Sequence, residues 1–333
     1  MPARAARGSG DAASARPGDL TGRTDWSRTH RWWSAVALVV LFAASLAVRA
    51  GARDLRLSEA FPDPGLAACV AETLDRTPRA RVPAHELEQV RGLHCRGDRS
   101  VGRPDAWRDT PRAVPVAGLA GLERLPDLTT IDLAGNDVAD LAPLNGLRGL
   151  SRLALTSNRV RDLEPLRGLP LLADLGLSLN QIADLAPLAT LPALRYLGVG
   201  ENDVEDVRPL GGLTALETVD LSGNRISDVR GLGALPQLDR LTLTGNRIAD
   251  ASPLRALPAL TMLNLERNAL RDADDFRTGF PALDELWLGE NPLREVTGLA
   301  ALPELAGVDL AAIGPVPGVA ALERAGVYVG GRA

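Results

Sequence analysis

The chain is dominated by a pattern of apolar positions that recurs between residues 128 and 313. Most copies read Leu-x-x-Ile/Leu-x-Leu-x-x-Asn-x-Ile/Val. The asparagines stand 22 residues apart, with a last step of 23, at Asn136, Asn158, Asn180, Asn202, Asn224, Asn246, Asn268 and Asn291. A ninth copy carries Ile313 at the asparagine position. A fixed period of this length predicts a solenoid in which each repeat forms one coil.

Within each repeat, the spacing of the apolar residues predicts a strand followed by a turn. Ile131 and Leu133 alternate with polar residues, as expected for a short strand with one buried face. We expect Asn136 to hydrogen-bond backbone groups of its own and the adjacent coil, which a loop would otherwise leave unpaired. An aspartate four residues later, often followed by proline, predicts the cap and start of a short helical turn.

These residues resemble the leucine-rich repeat family, and the Asn-x-Ile-x-Asp-Leu-x-Pro-Leu segment at residues 180–188 is similar to bacterial internalin-type repeats. The resemblance covers more than half of the chain. It implies a leucine-rich repeat solenoid of the α/β class, with a curved parallel β-sheet on the concave face and 3₁₀ turns on the convex face. It also implies binding of a partner, usually another protein, through the concave face.

The amino-terminal part of the chain predicts a membrane anchor. Residues 1–31 are rich in Arg, Ala, Gly and Ser, a composition typical of disorder. Residues 32–48 carry no charge and would form a helix of about 25 Å, at the short end of the range for a single-pass transmembrane signal anchor. Six arginines precede this segment, which predicts a cytoplasmic amino terminus and extracytoplasmic repeats. The alternative is a signal peptide cleaved near residues 50–52, which would release the repeats.

Residues 49–60 are interpreted as a linker, and residues 61–127 as an amino-terminal cap with a degenerate first repeat. Asp63 and Pro64 predict the start of a helix that covers the first coil. Residues 99–114 interrupt this repeat as an insert. The insert is either a binding loop or a solvated loop whose Trp107 packs against the cap. Residues 314–333 predict a carboxyl-terminal cap with a short helix and a closing strand.

The two cysteines, Cys69 and Cys95, are expected to point into this cap. They form either a disulfide or two buried thiols in contact. Because the repeats are expected to lie outside the reducing cytoplasm, we favour the disulfide.

Composition and motifs exclude several function classes. The net charge of −5 gives no basic footprint for nucleic acid. The three histidines stand apart from any Ser-His-Asp set, phosphate-binding glycine loop or metal-spaced cluster. The sequence therefore predicts a non-enzymatic protein without a cofactor or metal.

The candidate ligand-binding site is the concave face, where most outward residues are small. The large ones lie mostly toward the carboxyl end, at Trp287, Glu285, Met262, Asn264, Glu266, Arg240 and Tyr196. This set is either an interface, since aromatic residues and arginine are enriched there, or ordinary surface.

We interpret the chain as a membrane-tethered protein of the cell envelope that binds a protein, or alternatively a glycan, through its concave face. The competing interpretation is a soluble intracellular scaffold, similar to repeat proteins that hold a phosphatase. The apolar segment and the paired cysteines favour the envelope.

Overall fold

The computed structural model of the protein describes residues 54–97 and 114–331. The predicted disordered segment, the predicted membrane anchor and the insert around Trp107 lie outside the described residues. Within the described ranges, no helix combines the length and the apolar character needed to cross a bilayer.

The amino-terminal cap contains short strands and helices that bury apolar residues over the first coil. Strand β1 (Leu55–Arg56) pairs antiparallel with β2 (Arg81–Val82), and the helices are α1 (Leu57–Ala60), α2 (Pro64–Thr73) and α3 (Ala84–Glu88). As predicted, Asp63 caps α2, because its Oδ1 accepts a hydrogen bond from the Leu66 N–H at 2.8 Å. The cap begins at residue 55, so the linker predicted for residues 49–60 is wrong over its second half. Leu57 is fully buried there, which a linker would not allow.

The repeats form a parallel sheet whose strands follow one another in chain order, so the predicted solenoid is confirmed. Eleven strands of the described residues belong to it. They are β3 (Gly92–His94), β4 (Thr130–Asp132), β5 (Arg152–Ala154), β6 (Asp174–Gly176), β7 (Tyr196–Gly198), β8 (Thr218–Asp220), β9 (Arg240–Thr242), β10 (Met262–Asn264), β11 (Glu285–Trp287), β12 (Gly307–Asp309) and β13 (Tyr328–Gly330).

The convex side is made of 3₁₀ turns, at Leu122–Arg124, Ala142–Leu144, Glu164–Leu166, Ala186–Thr190, Arg208–Gly212, Arg230–Leu232, Ser252–Ala256, Asp274–Phe276 and Thr297–Ala301. The recurring aspartates begin seven of these turns as predicted, each accepting the N–H two residues later at 2.8–3.2 Å. A hydrogen bond from the Arg230 side chain lowers the pKa of Asp228 to about 2. The cap of this turn therefore stays ionised at lower pH than an ordinary aspartate would.

A ladder of asparagines ties each coil to its neighbours, as predicted. Asn224 is buried, and its Nδ2 donates to the carbonyls of Leu221 in its own coil (2.9 Å) and Val199 in the preceding coil (3.1 Å). Its Oδ1 accepts the Val204 N–H at 2.9 Å. All eight asparagines make this set of contacts, so the ladder satisfies backbone groups that no strand pairing reaches.

One coil is a residue longer than the others, yet the sheet continues without a shift. Leu263 of β10 still pairs with Leu286 of β11. The additional residue lies on the convex side, between the fully buried Phe276 and Phe280, whose ring centroids are 5.1 Å apart. Larger side chains fill the wider coil there, where the other repeats have leucine.

The two ends of the solenoid are closed differently. At the amino end, Cys69 of α2 and Cys95, directly after β3, form a disulfide with Cα atoms 5.5 Å apart, and both residues are buried. At the carboxyl end, helix α4 (Val319–Arg324) leads into β13, which pairs with β12 as predicted. Both edges of the repeat core are thereby covered.

Candidate concave binding face

The concave face consists of three parallel rows of outward side chains, because neighbouring strands pair in register. The first row contains Arg152, Asp174 and Tyr196, which are direct neighbours on β5, β6 and β7. The second row contains their counterparts two residues later, and the third row lies beyond the strand ends. A site on this face is therefore built from equivalent positions of consecutive coils.

The structure brings most of the predicted carboxyl-end residues together. Met262 lies between Arg240 and Glu285 in the first row, and Asn264 lies beside Trp287 in the second. Trp287 points outward as predicted, because the flanking Leu286 and Leu288 are buried in the core. Its own side chain is nevertheless only partly exposed.

The polar groups in this cluster already bond to one another. The Asn264 Nδ2 donates to the Glu266 Oε2 at 3.1 Å, and its Oδ1 accepts the Glu266 N–H at 2.9 Å and the Thr244 hydroxyl at 2.8 Å. Asn264 is therefore less available to a ligand than its sequence position suggests.

Tyr196 does not belong to this cluster, which corrects the grouping predicted from sequence. It lies on β7, four strands from Trp287 on β11, a separation of about 19 Å at the usual strand spacing. It lines instead an open depression of about 400 Å³ at the amino-terminal half of the face. The lining residues are His94, Arg96, Thr130, Asp132, Arg152, Ala154, Thr156, Asp174, Gly176 and Tyr196.

The depression exists because the first-row side chains on β5, β6 and β7 are large, whereas the second-row side chains on β5 and β6 are small. Ala154 and Gly176 form the floor, and Arg152, Asp174 and Tyr196 form one wall. Sequence reasoning missed it because each floor residue, taken alone, is typical of an inert surface. The available signal was the run of small residues at the same row position of consecutive coils.

Charged groups at the amino end of the depression neutralise one another. The Arg96 Nε lies 2.5 Å from the Asp132 Oδ2, and an Arg152 guanidinium nitrogen lies 2.7 Å from the Asp174 Oδ2. These pairs are partly exposed, so they orient the side chains more than they stabilise the fold.

The ring of Tyr196 extends over Gly198 on its own strand. A Cβ at Gly198 would lie 3.0 Å from the tyrosine Oη and 3.4 Å from Cε1, so the glycine lets the ring lie close to the sheet. Burial, followed by the charges of Asp220 and Asp174, raises the pKa of Tyr196. The Tyr196 hydroxyl has no hydrogen-bond partner among the described residues.

Exposed apolar side chains flank strand β6 at both ends and occur on β7. Of five large apolar residues that are strongly exposed in the described part of the chain, three lie on two adjacent coils: Leu171 (56%), Leu179 (43%) and Tyr196 (41%). Leu179 also has φ of 58°, a left-handed conformation that disfavours leucine. The same left-handed φ recurs at the equivalent residue of other coils, for example Ser157, Glu201 and Arg267, so it belongs to the turn before each ladder asparagine.

Comparisons with known proteins agree with this architecture. The family model described as Leucine Rich repeats (2 copies) matches residues 214–256. An internalin, InlF from Listeria monocytogenes, superposes with a TM-score of 0.74 at 26% identity, covering 83% of this chain and 77% of that one. Internalin C2 from the same organism is 30% identical with a TM-score of 0.50, covering 64% of this chain and 97% of that one.

A third solved structure is similar over a smaller part of its own length. TLR13, in its complex with ssRNA13, is 27% identical with a TM-score of 0.52, and the match covers 69% of this chain but 32% of that one. No curated protein sequence matches the chain.

Proposed function

Because this chain belongs to the internalin-like leucine-rich repeat family, we propose that it binds a partner protein through its concave face while tethered to a membrane. The observation that carries the binding function is the concave sheet itself. Its depression is open, its floor is made of small residues, and the partly exposed ring of Tyr196 lies in its wall. Aromatic residues are enriched at protein interaction sites.

The proposed location rests on two features of the chain. Residues 32–48 form an uncharged stretch with six arginines before it, which favours an anchor with the repeats outside the cytoplasm. The Cys69–Cys95 disulfide supports the same side, because disulfides persist in oxidising compartments.

A reporter fusion tests this topology. Alkaline phosphatase fused after Ala333 should be active in the intact source cell, because that enzyme folds only outside the reducing cytoplasm. A cytoplasmic reporter at the same position is the matched control and should be inactive. Activity of the cytoplasmic reporter alone would reverse the proposed orientation.

The carboxyl-end cluster is tested by partner capture. With the full-length protein as bait for envelope extract, Trp287→Ala should weaken partner binding at least about tenfold, because truncating a central interface tryptophan often costs about 2 kcal/mol. Its melting temperature should stay nearly unchanged, since Trp287 lies outside the core.

The matched control for this experiment is Arg208→Ala on the convex side, which should bind as the unmodified protein does. If the Trp287 variant also captures the partner normally, the carboxyl end of the sheet is not part of the interface. If capture instead requires a nucleic acid or a glycan in the extract, the partner is not a protein and the proposed function is wrong.

A further inference from the structure

We propose that Tyr196, Asp174 and Asp220 form a site that receives a lysine or arginine side chain of the partner protein. This inference rests on the proposed function and specifies what its concave face recognises. It concerns the end of the depression opposite the Arg96–Asp132 pair.

The aromatic part of this site is held in place by the sheet. The Tyr196 ring extends over Gly198, and a Cβ there would press against the ring edge. About two fifths of the tyrosine remains open to solvent. An exposed aromatic ring that is fixed on a rigid floor is a good acceptor for a cation, because little conformational entropy is lost on binding.

The acidic part of the site includes a carboxylate without a counter-charge. Asp220 pairs with Gly198 in register, one strand from Tyr196. Its Oδ1 accepts hydrogen bonds from the Ser222 N–H at 3.0 Å and the Ser222 hydroxyl at 2.5 Å. No arginine forms an ion pair with Asp220 among the described residues, so its negative charge is available to a ligand.

Because the neighbouring charged groups are paired, Asp220 determines which sign of charge is favoured in a ligand. Asp174 is paired with Arg152 at 2.7 Å, and Arg240 on the strand that follows Asp220 is paired with Asp239 at 3.6 Å. Asp174 is the in-register neighbour of Tyr196, and Asp220 is that of Gly198, so the three groups lie on adjacent strands. An anionic ligand would be repelled by Asp220, whereas a cation would be attracted by the unpaired Asp220 carboxylate and by the ring.

The adjoining depression supplies room for the rest of the ligand side chain. The floor, formed by Ala154 and Gly176, has no charged group. The depression has a volume of about 400 Å³, which admits a long side chain. Lysine and arginine carry aliphatic stems that pack well on such a surface while the charged end reaches a polar site.

The two tyrosines of the chain give a direct measurement of binding. We would label the tyrosine rings of the full-length protein with ¹³C, assign the two signals with Tyr328→Phe, and add a Gly-Ser-Arg-Ser-Gly peptide with blocked ends. A mild detergent would keep the apolar amino-terminal segment in solution. The Tyr196 signal should shift and saturate, whereas a citrulline peptide of the same shape should leave it unchanged.

Asp220→Asn should weaken binding of the arginine peptide about threefold or more, because the neutral amide removes the negative charge. The substitution is tolerated by the fold, since Asn264 stands at the equivalent position of β10 and accepts the same kind of N–H contact. Asp309→Asn is the matched control. Asp309 occupies the same row and accepts the Ala311 N–H at 2.9 Å, but it is distant from Tyr196, so the Tyr196 titration should not change.

Three results would overturn the proposal: no shift at Tyr196, an equal shift with the citrulline peptide, or an unchanged affinity in Asp220→Asn. Partner capture separates this failure from that of the proposed function. If the partner is captured normally while the arginine peptide does not bind, the cation site is wrong and binding through the concave face stands.

Discussion

Replacing Asn224 with alanine is expected to lower the free energy of unfolding by about 3 kcal/mol. The side chain serves the carbonyls of Leu221 and Val199 and the N–H of Val204. Alanine would leave these backbone groups without a partner in a region where Asn224 is only 7% exposed. Each buried group that loses its hydrogen bond costs about 1–3 kcal/mol, and water has little access to compensate. Urea unfolding of the two proteins, followed by circular dichroism, measures the difference.

Asn264→Ala is the matched control for this loss. Asn264 lies on the concave face, is partly exposed, and bonds to the Thr244 hydroxyl and to Glu266. Removing the Asn264 side chain should lower the free energy of unfolding by less than about 1 kcal/mol, because solvent can replace those contacts. Equal unfolding midpoints for the Asn224 variant and the unmodified protein would contradict the stabilising role of the ladder.

Removing the Cys69–Cys95 disulfide is expected to lower the free energy of unfolding by about 3–4 kcal/mol. The bond closes a loop across a sequence separation of 26 residues, and opening the loop increases the entropy of the unfolded chain. The double variant Cys69→Ala with Cys95→Ala avoids leaving a lone thiol. Urea unfolding gives the magnitude, and amide hydrogen exchange locates the loss.

Hydrogen exchange should show that the loss concentrates at the amino end. Each coil of a solenoid contacts mainly its neighbours, so α2 and β3 should exchange faster while β11 and β12 change little. Thiol labelling of the denatured, unreduced protein supplies the control and should find neither cysteine free. Stoichiometric labelling of both residues would show that the bond is absent from the protein in solution.

The repeating part of the fold was predictable because its determinants are local and periodic. Ile131 and Leu133 alternate as a buried strand requires, and each asparagine repeats the same contacts in its coil. The disulfide was favoured by the inward position of both cysteines. The start of the cap was not predicted, because Leu57 and its few apolar neighbours are too short a run to show a period.

The depression was harder to predict because it depends on positions that are far apart in sequence. Ala154 and Gly176 become one floor only after the strands pair in register. Tyr196 was recognised as a large outward residue, yet it was listed with the carboxyl-end residues as one set. A strand-by-strand inventory gives the type of each side chain, whereas the sheet register decides which of them meet.

The longer coil between Asn268 and Asn291 shows how the molecule tolerates a change in length. Its additional residue lies near Phe276 and Phe280, and the pairing of β10 with β11 is unaffected. Small insertions on the convex side therefore do not change the surface that a ligand contacts on the concave face. Gain or loss of a whole repeat between Tyr196 and Trp287, in contrast, would change their separation by one strand spacing, about 4.8 Å. Distances along the concave face are thus set by the number of strands, and they stay fixed while the length of the convex segments varies.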